Sequence, residues 1–117
     1  MAENLRGKAS LPFSLSIVNA AGDEDVLAGH TRDMRATGLS LVVPDIRIGS
    51  QEIVGEDRRL RIVLELPTGP IEIQAAPVRY EQLDEKGTEQ GYLVGARITE
   101  ISDSDCVRFV KYLRSLR

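Results

Sequence analysis

Leu60-Arg61-Ile62-Val63-Leu64-Glu65-Leu66, then Pro67-Thr68-Gly69, then Ile71-Glu72-Ile73-Gln74-Ala75, is the stretch that decides how this chain folds. Leu60, Ile62, Leu64 and Leu66 alternate with Arg61, Val63 and Glu65, which puts one apolar row on one face of a strand. Pro67-Thr-Gly69 reads as a turn, because proline presets φ and glycine accepts conformations closed to other residues. Ile71, Ile73 and Ala75 resume the alternation in a second strand that runs towards Tyr80. Pro77 interrupts it; having no N–H to give a ladder, it marks an edge or a bulge.

The same period extends in both directions. Leu11 to Val18 carries Leu11, Phe13, Leu15 and Ile17 on one face, with Ser14 and Ser16 opposite. Asn19 to Asp25 is a turn-rich connection, and Val26 to Arg32 reads as the next strand. Asp33-Met-Arg-Ala-Thr-Gly38 is a strand end and a tight bend, opening into a strand from Leu39 to Val43 that Pro44 stops. Ile46 to Asp57, broken by Gly49 and Gly55, has no clear period. Leu83 to Gln90 reads as a polar hairpin loop, and Tyr92 to Ile98 as the last strand. The period then changes. Ser102 and Asp105 have the spacing of a capping box, and Val107, Phe109, Val110 and Leu113 recur at helical spacing beside Cys106 and Leu116. Arg108, Lys111, Arg114 and Arg117 gather towards the end, complementing the helix dipole. Six strands with closely spaced turns favour a sandwich or barrel, with an amphipathic helix over Ser102–Leu116 closing one side.

Composition narrows the function. The chain has 117 residues, the size of one domain, and 42% apolar residues argue against disorder. A net charge of −3 does not fit a DNA- or RNA-binding footprint. Cys106 is the single cysteine and His30 the single histidine, leaving almost no ligands for a metal site and no internal disulfide. Cys106 reads as a small core residue and His30 as a strand residue facing out. No nucleophile–base pairing and no phosphate-cradling glycine loop speak for an enzyme, so no catalytic residue and no cofactor are expected. No apolar run approaches the ~20 residues that cross a bilayer. Without the apolar core of a signal peptide at the start, a cytoplasmic protein is the default.

Several short motifs stand in a telling order. An arginine-bearing N-terminal segment, Arg6-Gly-Lys-Ala-Ser10, precedes Leu11-Pro12 and the first strand. Asp33-x-x-x-x-Gly38 follows, then Leu64-Glu-Leu-Pro-Thr-Gly69, then Gly95-Ala-Arg-Ile and Ile101-Ser-Asp-Ser-Asp at the entry to the helix. In this order they resemble the PilZ domain family, the small β-barrels with which bacteria sense the second messenger cyclic di-GMP. The resemblance spans most of the chain. It implies a mainly β fold: a single domain, 1–117, with a flexible ligand-motif tail over 1–10, a six-stranded antiparallel PilZ-like β-barrel over 11–101, and a C-terminal α-helix over 102–116.

The resemblance also implies a site. The family's tail motif is Arg-x-x-x-Arg, whose positions fall on Arg6 and Ser10; its second motif, [Asp/Asn]-x-Ser-x-x-Gly, falls on Asp33, Arg35 and Gly38. Arginine suits a cyclic dinucleotide because its fork grips phosphate and its plane stacks on a base. Asp33 would accept from the guanine edge, and Gly38 would let the backbone come close. Two positions depart from the motif: Ser10 replaces the second arginine, and Arg35 stands where a small hydroxyl belongs. Arg35 would either clash with the base or reach a phosphate, and Lys8 would supply charge without a planar fork. The residues therefore leave two readings open. One is a regulatory domain that binds cyclic di-GMP weakly through Arg6, Lys8, Ser10, Asp33, Arg35 and Gly38. The other is a non-binding module that contacts motility, pilus or secretion machinery.

Overall fold

The computed structural model describes residues 6–18, 26–49, 51–55, 57–83 and 91–116. Among these, the strands are β1 (Arg6–Lys8), β2 (Pro12–Ile17), β3 (Leu27–Arg35), β4 (Gly38–Val43), β5 (Arg47–Ile48), β6 (Gln51–Glu52), β7 (Leu60–Leu66), β8 (Gly69–Gln82) and β9 (Tyr92–Ile101), followed by helix α1 (Asp103–Ser115). Strands β3, β2, β7, β8, β9 and β4 pair antiparallel in that order, and the pairing of β4 with β3 closes the ring. The fold is a six-stranded antiparallel β-barrel with a C-terminal helix. Closure removes the free edges that an open sheet would expose.

The apolar alternation fills the barrel. Phe13, Leu15 and Ile17 of β2, Leu60, Ile62, Leu64 and Leu66 of β7, and Ile71, Ile73 and Ala75 of β8 are all buried. The register couples these rows, with Leu15 opposite Ile62 and Ile62 opposite Ile73. The region from Ile46 to Asp57 that had no clear period contains the β5–β6 hairpin, whose Ile48 and neighbouring Ile53 are buried in the same core. Its strands are two residues each, too short for a period to show.

The N-terminal segment differs from expectation. Of the flexible tail expected over residues 1–10, Arg6–Lys8 form β1 instead, paired with β3 through Arg6–Arg35, Gly7–Met34 and Lys8–Asp33. Residues 1–5 lie outside the described residues, as do the 19–25 connection and positions 84–90 of the expected polar loop. β1 and β2 occupy the same edge of β3, separated by Ala9–Leu11. Thr31 bridges the gap: its backbone N–H donates to the Leu11 carbonyl at 2.9 Å, its hydroxyl accepts from the Leu11 N–H at 3.0 Å, and it donates to the Ala9 carbonyl at 2.5 Å. Thr31 is a buried polar residue at 1% exposure, and its hydroxyl satisfies backbone groups that no ladder reaches. On the other side, a Cβ on Gly7 would come within 2.5 Å of Leu116 Cδ1, so β1 is pressed between β3 and the end of α1.

Helix α1 is capped as its sequence indicates: the Ser102 hydroxyl accepts from the Asp105 N–H at 3.2 Å. The reciprocal half of the capping box is absent, because the Asp105 carboxylate accepts instead from the Glu72 N–H on β8 at 3.1 Å. Phe109 and Leu113 are fully buried, with Val110, Tyr112 and Leu116 packed beside them. Val107, read with the apolar stripe, is 60% exposed: two residues before Phe109 is roughly 200° around a helix, nearly the opposite side. Arg108 ties the helix to the turn that opens β8. Its guanidinium donates to the carbonyls of Pro70 and Gly69, each at 3.0 Å, and to the Thr68 hydroxyl at 3.2 Å.

Two stability changes follow. Thr31→Val leaves the Leu11 N–H and Ala9 carbonyl without partners and should cost about 1–3 kcal/mol in denaturant unfolding, while Thr31→Ser should recover most of it. Arg108→Ala should lower stability by about 1–2 kcal/mol. Arg108→Lys should restore little, since an ammonium lacks the fork that spans three acceptors.

Candidate functional site

The outer face of the barrel, where β1, β3, β4, β9 and β8 lie side by side, carries an open groove of about 760 Å³. Two rows of cross-strand neighbours build it. One runs Asp33, Ser40, Gly95, Arg79; the other runs Arg35, Gly38, Arg97. Between the charged flanks the floor positions Ser40, Gly38 and Gly95 are small. Strands lie 4.7–4.9 Å apart, so the three steps from Asp33 to Arg79 span about 14 Å along the sheet.

Two β-bulges shape the flanks. In β3 the pairing with β4 shifts between Thr31 and Asp33, leaving Arg32 as the extra residue. The inward set therefore passes from Thr31 to Met34, both buried, and Arg32, Asp33 and Arg35 all turn out to the groove. In β8 the pairing with β9 shifts between Pro77 and Arg79, leaving Val78 as the extra residue, and both Val78 and Arg79 line the groove. Pro77 thus marks a bulge, one of the two outcomes its sequence position allows. It also lies past Ala75, the last β8 residue paired with β7, so its missing N–H breaks no bond on that side.

The structure brings together part of the sequence-derived site. Asp33, Arg35 and Gly38 line the groove, with Gly7 beside them. Ser10 is exposed and is not part of the lining. The backbones of Arg6 and Lys8 sit opposite Arg35 and Asp33, but their side chains lie outside the described residues. Gly38 has a structural reason to be glycine, since a Cβ there would meet the Ala96 carbonyl oxygen at 2.8 Å. His30 and Cys106 take no part in the lining, and no group of His, Cys, Asp or Glu among the described residues is placed to hold a metal.

Sequence reading missed Arg32, Arg79 and Arg97, which line the groove with Arg35. Only the β4–β9–β8 register reveals Arg79 and Arg97 as neighbours of this site; no local motif marks them. Among the described residues, Asp33, Arg35, Arg79 and Arg97 make no side-chain hydrogen bond or ion pair. Other surface arginines are engaged: Arg61 with Glu72 at 2.8 Å, Arg47 with Glu52 at 3.3 Å, and Arg108 with its turn. The groove thus presents open guanidinium groups and one carboxylate above a floor of small residues. That suits a flat, anionic ligand whose edge donates hydrogen bonds.

Residues 3–115 match the PilZ domain family. The chain belongs to that family. Solved PilZ structures share the fold. The PilZ domain of YcgR from Escherichia coli, solved with c-di-GMP, superposes with a TM-score of 0.69 at 13% identity, over 95% of this chain and 87% of that one. The inhibitor of motility MotI/DgrA from Bacillus subtilis gives a TM-score of 0.69 at 19% identity, over 95% of this chain and 48% of that protein; this chain spans about half its length. The PilZ domain of CeSA from a cellulose-synthesizing bacterium gives 0.58 at 15% identity, over 93% and 97%. No curated protein matches in sequence. At these identities the structural likeness speaks for the fold alone, and no helix among the described residues is long and apolar enough to cross a membrane.

In this PilZ domain the tightest glycine contact on the groove floor is testable without any ligand. Gly38→Ala should lower stability by about 1–3 kcal/mol through the clash with the Ala96 carbonyl. An unchanged unfolding midpoint would show that β9 yields there.

Proposed function

We propose that this PilZ domain is a bacterial, cytoplasmic regulatory module that binds cyclic di-GMP in the groove between β3 and β8. The observation that carries this reading is the placing of Asp33 and Gly38, the surviving positions of the family's second motif, on one groove with Arg35 and further arginines. A carboxylate accepts only, and the guanine edge offers N–H donors side by side. Asp33 reads that edge, the guanidinium groups meet the two phosphates, and the small floor admits the flat bases. The domain acts by binding rather than by catalysis: the groove holds no histidine or cysteine, and its open charges suit an anion that stays intact.

The two departures from the motif set the affinity. Ser10 supplies no second tail arginine, and it lies away from the groove. Arg35 adds bulk where the motif has a hydroxyl. Losing one charge-assisted arginine contact lowers affinity roughly ten- to a hundred-fold, so binding should be weaker than in a relative with both motifs intact. The same departures favour a second reading, in which the domain has lost the nucleotide and contacts motility, pilus or secretion machinery through its surface.

Calorimetric titration with cyclic di-GMP separates the two. Measurable binding, with Asp33→Ala lowering affinity and narrowing the preference for cyclic di-GMP over cyclic di-AMP, is the expected result. Equal discrimination by Asp33→Ala would make the carboxylate a β3 surface residue that reads nothing. No heat at millimolar nucleotide would remove the first reading and favour the second.

A further inference from the structure

We infer that Arg79 on β8 and Arg97 on β9 supply phosphate-holding charge to this groove, from positions outside the two motifs of the family. The inference rests on the groove being the cyclic di-GMP site for the identity of its ligand, but its assignment of arginines is tested separately below.

Three observations carry it. First, Arg79 and Arg97 close the side of the groove that faces Asp33 and Arg35, each across a small residue: Arg79 is paired with Gly95, and Arg97 with Gly38. Neither floor position carries a side chain to block the way from the guanidinium groups to a ligand. The Arg79 stem already covers Gly95, where an added Cβ would stand 3.6 Å from Cγ. Second, both arginines are exposed and, among the described residues, have no ion pair or side-chain hydrogen bond to give up. A phosphate arriving there breaks no existing pair, and two forks accept it bidentately. Third, the N-terminal segment has its backbone fixed along β3 at the rim of the groove. Its backbone from Arg6 to Lys8 is laddered to β3, Gly7 is pressed on Leu116, and Ser10 lies exposed outside the groove. A clamp supplied from β8 and β9 needs no movement of that segment.

The bulge at Val78 is what makes the geometry work. Without the bulge, strict alternation through all the residues of β8 would carry Arg79, two positions after Pro77, to the face of buried Ala96, the partner of Pro77. With it, Arg79 turns out over the floor directly in line with Asp33. The two ends of one cross-strand row then serve two chemistries, base edge at Asp33 and phosphate at Arg79, about 14 Å apart along the sheet.

The test uses the unmodified chain and the variants Arg79→Ala, Arg97→Ala, their double variant, and Arg114→Ala on the helix as a control, with unfolding curves to confirm the fold. Cyclic di-GMP, cyclic di-AMP and inorganic pyrophosphate are titrated at several salt concentrations. Each groove substitution should lower cyclic di-GMP affinity roughly ten- to a hundred-fold. Each should also flatten the dependence of log affinity on log salt, and lower cyclic di-AMP affinity in the same proportion, because a phosphate contact is blind to the base. A merely structural role would move the unfolding midpoint without changing the salt slope. If the unmodified chain binds cyclic di-GMP and the double variant binds within twofold of it, the arginine assignment is overturned and the nucleotide reading stands. If the chain binds pyrophosphate through Arg79 and Arg97 but neither nucleotide, the assignment stands and the nucleotide reading falls. Binding of none of the three overturns both.

Discussion

Closing six strands into a ring obliges β3 to be paired along both edges, and on one edge its partner changes from β2 to β1 within a few residues. A ladder cannot cross that change unaided, because the chain between β1 and β2 leaves the sheet and its amide groups lose their partners. One hydroxyl restores continuity. Thr31 accepts from Leu11 and donates to Ala9, so a side chain substitutes for a missing strand residue. That leaves β1 laid along β3 beside the groove, with Leu116 of the helix against its other side. The end of α1 and the rim of the site are therefore in direct contact.

The site itself is made by irregularity. A regular barrel shows one outward side chain for every two residues, which spreads charge thinly. At both flanks of the groove a bulge places two neighbouring residues outward: Arg32 with Asp33, and Val78 with Arg79. The ladder gives up a regular pair at each place, and in return the surface gains a dense set of polar groups over a floor of glycine and serine. The helix end of the molecule shows the opposite treatment of charge. There Arg108 and Asp105 bond to backbone groups of β8 and its turn, so their charges hold architecture and offer little to a ligand.

Some of this can be read from residues in a row. The period of two at Leu60–Leu66 and the change of period after Ile101 give the strand and the helix almost residue for residue, because both depend on a local pattern meeting one apolar interior. The Asp33–Gly38 spacing finds one flank of the groove for the same reason: a hairpin is local. The other flank is not. Arg97 comes to Gly38 through the β4–β9 register, and Arg79 to Asp33 through three registers, two of them reset by a bulge; no composition or spacing rule carries that information. Arg6–Lys8 are too few, and too polar, to declare themselves a strand; their pairing is imposed by the bare edge of β3. Val107 shows the limit of counting apolar residues on a helix, since its angle places it in water although its chemistry suits the core.

The bulge at Arg32 has a consequence for how such a protein can change over time. Arg32 is the extra residue of its ladder, so removing it joins Thr31 directly to Asp33 and leaves a regular strand. Asp33 and Arg35 would still face out and Met34 in, opposite the same β4 partners. A single-codon deletion there is thus the loss of one outward arginine, with the core row beside it left in place. Lineages carrying this barrel can therefore change the length of β3 at this one point without exchanging lining for surface.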